Sequence, residues 1–223
     1  NVTVLCDPRQ YAEVIAALPD GVEPGVRKRL ATRAFERTAE YDSAIARYLE
    51  AGLLARELPG SLALTMPLAQ PLRYGENPQS RAAFYLAREG RLPMQLGGKA
   101  LSYNNLLDLD ACLRVLARAP APFPAGVAPP HEGSMRRAAI VKHTVPCGVA
   151  EHSSVASAIR AALDADPISA FGGIIATDGT LDLAGAEALA EFFLEIVAAS
   201  EFDDDALALL RKKKNLRIMR YEH

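Results

Sequence analysis

The chain has 223 residues, of which 50% are hydrophobic and 23% are charged, and its formal net charge is −2. This composition is typical of a folded globular protein and unlike that of a disordered chain. The balanced charge gives no electrostatic basis for binding nucleic acid or an anionic membrane surface. No apolar run reaches the roughly 18–20 residues that span a bilayer, and the N-terminus lacks the layout of a signal peptide.

The three cysteines are odd in number and widely spaced, at Cys6, Cys112 and Cys147, without the spacing of metal ligands. Neither a disulfide framework nor a zinc site is therefore expected, and a cytoplasmic location fits best. The chain begins with Asn1 instead of Met, and residues 1–6 already have the pattern of a strand. We therefore expect the chain to be a piece of a longer protein.

The first part of the chain predicts a strand followed by two helices. The apolar run NVTVLC predicts the strand at 1–6, and a short helix is predicted over 11–18, after the Asp7-Pro8 turn. A longer helix is predicted over about 26–52, where apolar residues recur at steps of three and four: Leu30, Ala34, Tyr41, Ile45 and Tyr48. That spacing predicts a packing surface, not a binding site.

Prolines interrupt the helical periodicity between about residues 53 and 72, at Pro59-Gly60, Pro67 and Pro71. Such interruptions mark joints between folding units. We therefore place a domain boundary there, which gives units at 1–66 and 67–223.

The second unit alternates strands with helices, a pattern typical of an α/β fold with a layered sheet. Strands are predicted at 81–87, 138–142, 171–176, 194–199 and 216–219, and helices at 105–117, 151–164, 183–193 and 203–210. Residues 118–135, rich in Pro and Gly, predict an exposed loop. A turn is predicted at Pro146-Cys147-Gly148.

The segment KHTVPCG at 142–148 sets two titratable side chains, Lys142 and His143, at the end of an apolar strand. Open α/β sheets bind ligands at strand ends. A Lys can stabilise negative charge or donate a proton, and a His exchanges protons near neutral pH. The alternative is that Lys142 is merely solvated and that His143 caps the turn.

Three further segments combine polar side chains with flexible backbone. Arg73 and Tyr74 precede Gly75, and a guanidinium suits a phosphate, although Arg73 could equally be an incidental surface residue. The run GGKALSYNN at 97–105 precedes a helix, where anions and polar ligands bind, but Asn105 could be only the helix cap.

The third segment, SAFGG at 169–173, carries the pair Gly172-Gly173, which allows close approach of a ligand to the backbone. A basic run at 212–214 is expected to complete a helix dipole and to face water, without a catalytic role.

Together these segments resemble one family, the bifunctional enzyme of the last two steps of inosine monophosphate synthesis. The resemblance is carried by LRYGENP at 72–78, LSYNNLLDLDA at 101–111, IVKHTVPCGVA at 140–150, DPISAFGGIIA at 166–176 and ALALLRKKKNLRI at 206–218. VTVLCDPRQY at 2–11 and the helix at 31–49 resemble the end of that family's cyclohydrolase domain. The resemblance covers essentially the whole chain.

The resemblance implies formyl transfer from 10-formyltetrahydrofolate to aminoimidazole carboxamide ribonucleotide (AICAR), followed by cyclisation of the product. It implies that His143 assists deprotonation of the attacking amine and that Lys142 supports charge or protonation on the folate side. It also implies ribonucleotide binding by Arg73 and Tyr74 and ligand contacts at a further set of residues: Asn105, Gly172 and Glu195. No metal is implied, and the family assembles as a homodimer.

The implied fold is a cytidine-deaminase-like layered unit at 67–223, preceded by a remnant of a methylglyoxal-synthase-like cyclohydrolase domain at 1–66. The first half of the transformylase domain is then present and its second half absent, so little activity is expected of this chain alone. The chain also has Val145 where the family commonly has Asn, Gln79-Ser80 for His-Gln, and Ser200 for Pro. The alternative is a non-catalytic relative that binds a purine ribonucleotide or a partner chain.

Overall fold

The computed structural model describes residues 2–50, 61–87, 90–118 and 135–222. The chain divides into two compact units, Asn1–Pro67 and Leu68–His223. The assignment of these units to a cyclohydrolase remnant and a transformylase half stays a prediction. The predicted loop at 118–135 lies almost entirely outside the described residues.

The regular secondary structure described in the first unit is helical. A 3₁₀ helix at Pro8–Gln10 runs into α1 (Tyr11–Ala17), and α2 spans Pro24–Leu49. Both predicted helices are confirmed. The predicted strand at 1–6 is wrong, because residues 2–6 lie outside any strand. A strand needs a hydrogen-bonded neighbour, and the described elements of this unit are helices.

The apolar stripe of α2 is only partly a packing surface. Leu30 is 2% exposed, whereas Tyr41 and Tyr48 are 64% and 78% exposed. The prediction is therefore wrong for the two tyrosines. Val14 of α1 is buried, and Arg29 of α2 forms an ion pair with Glu13 of α1. The described contacts to α2 thus include its first part and, farther along the helix, the Ser43 hydroxyl, to which Thr65 donates at 3.3 Å.

The second unit contains eight strands and five helices among its described residues. In chain order these are β1 (Leu68–Pro71), β2 (Ala83–Tyr85), β3 (Met94–Gly97), α3 (Tyr103–Arg118), β4 (Arg136–Lys142), β5 (Val145–His152), α4 (Val155–Ala165), α5 (Pro167–Ala170), β6 (Ile174–Leu181), α6 (Leu183–Ala190), β7 (Ile196–Phe202), α7 (Asp204–Leu210) and β8 (Arg217–Arg220). The predicted α/β class is confirmed.

Six strands form a mixed sheet in the order β3-β8-β7-β6-β4-β5. β6, β7 and β8 run parallel, and β4 runs antiparallel to β6. The last residue of β4 therefore lies at the same end of the sheet as the first residues of β6, β7 and β8. β1 and β2 form a separate antiparallel pair.

Both faces of the large sheet are buried, which accounts for the continuous apolar runs of its central strands. One face packs against α4, α6 and α7 and holds Ile140, Ile175, Val197 and Ile218. The other face packs against α3 through a second set of buried residues: Leu101, Leu109, Cys112, Leu116, Ile174, Ile196 and Met219. The result is a helix, sheet, helix sandwich.

The turn predicted at Pro146-Cys147-Gly148 is wrong, because these residues belong to β5. The chain reverses instead at His143 and Thr144, whose φ angles are 52° and 63°. Lys142 faces Val145 across this hairpin. β5 is at the edge of the sheet, where Pro146 is tolerated because its missing N–H removes no central ladder bond.

Several element bounds differ from the sequence prediction. β1 and β3 were not predicted, since each has four residues and too little alternation to detect. β6 begins three residues later than predicted, because Gly172 adopts a φ of +76° in the turn before it.

The basic run at 212–214 does not face water along its whole length. Lys213 is half-buried, and its Nζ donates to the carbonyls of Leu189 and Phe192 at 3.0 and 2.7 Å. It therefore caps the C-terminal end of α6. Burial lowers the pKa of Lys213. Lys212 and Lys214 are exposed, as predicted.

Candidate functional site

The candidate residues gather where β4 ends and where β6, β7 and β8 begin, which we call the Lys142 end of the sheet. Ligand binding was expected at strand ends. β4 contributes its carboxyl end here, whereas the three parallel strands contribute their amino ends.

Lys142 is the last residue of β4 and is half-buried. Its Nζ donates to the carbonyl of Phe171 at 2.7 Å, so Lys142 is not merely solvated. An ammonium has three donors, so this bond leaves others for a ligand. His143 follows in the exposed hairpin turn.

The hairpin is fixed by side-chain oxygens. The Thr144 backbone N–H donates to Oδ1 of Asp108 in α3 at 2.7 Å, and the Thr144 hydroxyl donates to the His143 carbonyl at 2.6 Å. The turn is thus held from α3 and by Thr144, instead of being capped by the His143 side chain as the alternative interpretation proposed.

Asn105 acts as a cap and also makes a long-range contact. Its Oδ1 accepts from the Ser102 backbone N–H at 3.1 Å, while the Ser102 hydroxyl accepts from the Asn105 N–H at 3.4 Å. This reciprocal pairing fixes the start of α3. The Asn105 amide also donates to Oε2 of Glu195 at 3.3 Å.

Glu195 lies just before β7 and joins Asn105 to a buried cation. Nη1 of Arg217 donates to Glu195 Oε2 at 2.7 Å, and Nε and Nη2 donate to the Ala100 carbonyl, both at 3.2 Å. The Arg217 side chain is 4% exposed and that of Glu195 is 41% exposed. Arg217 therefore fixes one carboxylate oxygen while Glu195 stays accessible.

Gly172 lies in the turn that connects these groups. Its N–H donates to the Phe193 carbonyl at 2.8 Å, and the next carbonyl, that of Gly173, accepts from the Glu195 N–H at 2.9 Å. The neighbouring Phe171 carbonyl is the acceptor for Lys142. Lys142 and Glu195 are therefore both hydrogen-bonded to the backbone that flanks Gly172, and Glu195 is hydrogen-bonded to Asn105.

The segment that carries Arg73 and Tyr74 is attached to the start of α3 by backbone hydrogen bonds. The Arg73 N–H donates to the Leu101 carbonyl at 2.9 Å, and the Tyr103 N–H donates to the Tyr74 carbonyl at 3.1 Å. The exposed Arg73 guanidinium lies over the Tyr74 ring, 4.7 Å from its centroid, and Nη2 donates to the Tyr74 hydroxyl at 3.1 Å. This geometry pairs a cation with a phenol.

Asp108, Thr144 and Arg217 were missed as candidates by the sequence reasoning. Asp108 follows Asn105 by three positions in a predicted helix, so the two share a helix face, which was an available signal. Arg217 is a charged residue in a predicted apolar strand, which was another. The partners of all three depend on tertiary contacts and could not be read from spacing.

Open cavities on the described part of this unit include the following pair. One of about 690 Å³ includes Leu106, Leu113 and Tyr221 and opens at the carboxyl end of β8, away from Lys142. The other, of about 320 Å³, includes Phe193, Lys213 and Leu216. Phe193 accepts from Gly172, so the smaller cavity adjoins the Gly172 turn.

The described residues contain no cluster of three or more His, Cys, Asp or Glu side chains that could hold a metal ion. Within the same ranges, no helix is long and apolar enough to cross a membrane. The three cysteines are free thiols, and burial raises the pKa of Cys112 to about 12.

These features define an α/β protein with a polar site at one end of a mixed sheet. The chain belongs to the AICARFT/IMPCHase bienzyme family, whose model matches residues 1–223.

Curated relatives share the name bifunctional purine biosynthesis protein PurH. The protein of Prochlorococcus marinus (strain MIT 9303) is 44% identical over 221 residues, which cover 98% of this chain and 42% of the relative. That of Chloroflexus aurantiacus is 46% identical over 219 residues, which cover 98% of this chain and 40% of the relative. The chain thus spans about two fifths of the length of these relatives.

Among solved structures, a putative formate dehydrogenase accessory protein from Desulfotalea psychrophila is similar over 50% of each chain, with 14% identity and a TM-score of 0.40.

Proposed function

We propose that this chain contributes the Lys142 end of its sheet to formyl transfer from 10-formyltetrahydrofolate to AICAR in purine biosynthesis. The observation that carries the proposal is the convergence of separate sequence segments. Lys142 contacts the turn at Gly172, and that turn is hydrogen-bonded to Glu195, which binds Asn105. Family membership supports the same chemistry.

In the proposed reaction the amine nitrogen of AICAR attacks the formyl carbon, and the bond from that carbon to N10 of the folate breaks. The imidazole of His143 takes the proton lost by the amine. The ammonium of Lys142 supplies a proton to N10, so the proton gained by His143 balances the one lost by Lys142. Positioned acid–base groups accelerate such steps by about 10²–10⁴-fold.

The remaining candidates are assigned to binding. The described hydrogen bonds of the exposed Arg73 use one of the five guanidinium donors, so others remain for the phosphate of the ribonucleotide. Tyr74 supports that guanidinium through its ring and hydroxyl. The polar base of the ribonucleotide would be bound by three groups. These are the amide of Asn105, the backbone at Gly172, which has no side chain, and the carboxylate of Glu195.

Further properties are proposed from the family alone. In the complete protein an IMP cyclohydrolase activity closes the purine ring, and residues 1–66 are proposed as the remnant of that methylglyoxal-synthase-like domain. Residues 67–223 are proposed as a cytidine-deaminase-like half of the transformylase domain. We further propose a cytoplasmic homodimer whose reaction uses folate and no metal, and which binds neither nucleic acid nor membranes.

A second candidate function, ribonucleotide or partner binding without catalysis, is favoured by Val145. This residue is 61% exposed and lies opposite Lys142 in the hairpin. An apolar side chain there supplies no hydrogen bond to orient a substrate, unlike the Asn common in the family.

The test uses a chimera in which these 223 residues replace the aligned segment of the Prochlorococcus marinus relative. Formyl transfer to AICAR is measured for the parent chimera and for His143→Ala and Lys142→Ala. Each substitution is expected to reduce turnover by at least about 10²-fold with an unchanged melting temperature. An inactive, folded parent that still binds AICAR would instead support the binding function, and near-normal turnover of both variants would refute the assigned roles.

A further inference from the structure

The hairpin that carries His143 has an unfavourable backbone. Its two turn residues, His143 and Thr144, have φ angles of 52° and 63°. A two-residue hairpin loop of type I′ requires positive φ at both positions and usually contains Asn and Gly, which tolerate it. A β-branched residue such as Thr is a rare occupant of this region. The turn sequence therefore does not favour its own conformation.

Such a conformation persists only where the surrounding structure holds it. The described long-range contact that does so is the hydrogen bond from the Thr144 N–H to Oδ1 of Asp108, at 2.7 Å. A carboxylate acceptor makes this bond stronger than one between neutral groups. Asp108 is half-buried on α3, 36 positions away in sequence.

The same helix face also holds the other side of the site. Asn105 lies three residues before Asp108 and donates to Glu195 at 3.3 Å. Residues three apart lie on one face of a helix. One turn of α3 thus fixes the position of the hairpin relative to Glu195.

We propose that Asp108 is a positioning residue, whose carboxylate holds the His143–Thr144 hairpin in the strained conformation that presents the His143 side chain at the Lys142 end of the sheet. The inference rests on the proposed function of His143. Asp108 itself contacts the backbone of the hairpin and takes no part in proton transfer.

The first test is structural and needs no activity. Amide hydrogen exchange of Thr144 is measured by NMR in the 223-residue chain and in its Asp108→Ala variant. Loss of one charge-assisted hydrogen bond is expected to accelerate exchange of this amide roughly tenfold. Asp110→Ala is the matched control, because Asp110 is exposed on the same helix and pairs with Arg114 at 2.8 Å.

The second test is a rescue. In the chimera, Asp108→Ala is expected to lower kcat by about 10- to 100-fold, the range for a misplaced catalytic group, with the KM for AICAR changed less than about threefold. Adding Thr144→Gly supplies a residue that adopts positive φ readily and should restore most of kcat. A role limited to the stability of α3 would not be rescued in this way.

The outcomes separate this inference from the proposed function. If Asp108→Ala behaves like Asp110→Ala in exchange and in turnover while His143→Ala abolishes transfer, the positioning role is wrong and the function stands. If His143→Ala leaves transfer normal, the proposed function fails, and the exchange of Thr144 still decides whether Asp108 holds the hairpin. Loss of turnover in Asp108→Ala with a lowered melting temperature and no rescue would also overturn the positioning role.

Discussion

Replacing Arg217 by Met tests whether the buried cation holds Glu195 and the segment before α3 in place. Arg217 is 3% exposed and donates twice to the Ala100 carbonyl, at 3.2 Å, and once to Glu195, at 2.7 Å. The Met side chain keeps much of the apolar stem but removes all three donors. The Ala100 carbonyl then loses its charged partner.

The magnitude follows from the exposure of each partner. An unsatisfied acceptor or a lost hydrogen bond to a charged group costs about 1–3 kcal/mol. The ion pair adds only about 0.2–1 kcal/mol, because the Glu195 side chain is 41% exposed and water screens it. Removing the Arg217 charge also removes the cost of keeping it out of water, which offsets part of this loss of stability. We expect Arg217→Met to lower the free energy of unfolding by about 2 kcal/mol.

The measurement is urea unfolding of the 223-residue chain, with the midpoint compared at constant m-value. Arg220→Met is the control, since Arg220 lies on the same strand and its nearest carboxylate contact, with Glu201, is a half-exposed pair at 3.4 Å. That variant should change the free energy by less than about 0.5 kcal/mol. Equal effects of the two substitutions would refute the assignment of Arg217 as the fixing cation.

Two further predictions concern packing and anion binding. Gly148→Ala should destabilise the chain by about 3 kcal/mol in urea unfolding, because its Cβ would lie 2.0 Å from the Ala162 carbonyl oxygen. Gly25→Ala, where the new Cβ meets nothing within 4 Å, should be neutral or slightly stabilising, and equal losses would contradict the packing argument. Arg73→Lys should weaken AICAR binding about tenfold in calorimetry, since an ammonium cannot reproduce the guanidinium fork. The exposed Arg81→Lys should leave affinity unchanged, and an unchanged affinity in Arg73→Lys as well would remove Arg73 from the phosphate site.

The sequence predicted those elements whose patterns are local. The helices α3 and α4 have clear periodicity, α6 is rich in Ala and Leu, and β4 is a continuous apolar run. β5 was not predicted because Pro146 and Gly148 resemble turn residues. Pro146 is permitted by the edge position of β5, and Gly148 is required by the close approach of α4. Both facts depend on tertiary structure.

The candidate site, like the fold, was predicted from the sequence only in part. Motif order led to Lys142, Asn105 and Glu195, and the structure links these residues through hydrogen bonds. Asp108 and Arg217 each carried a local signal, a helix face shared with Asn105 and a charge in an apolar strand, but their roles come from partners 36 and 22 residues away. Composition and spacing do not identify such partners.

The most direct test of the proposed site is an NMR titration of the ¹⁵N-labelled 223-residue chain with AICAR. We expect shifts of the amide signals of Lys142, Gly172, Glu195 and Asn105, and smaller shifts with ribose 5-phosphate, which lacks the base. The His143→Ala variant should bind with similar affinity, because the role proposed for His143 is proton transfer. Shifts confined to residues at the carboxyl end of β8, such as Tyr221, or no shifts at millimolar AICAR, would contradict a ribonucleotide site at the Lys142 end of the sheet.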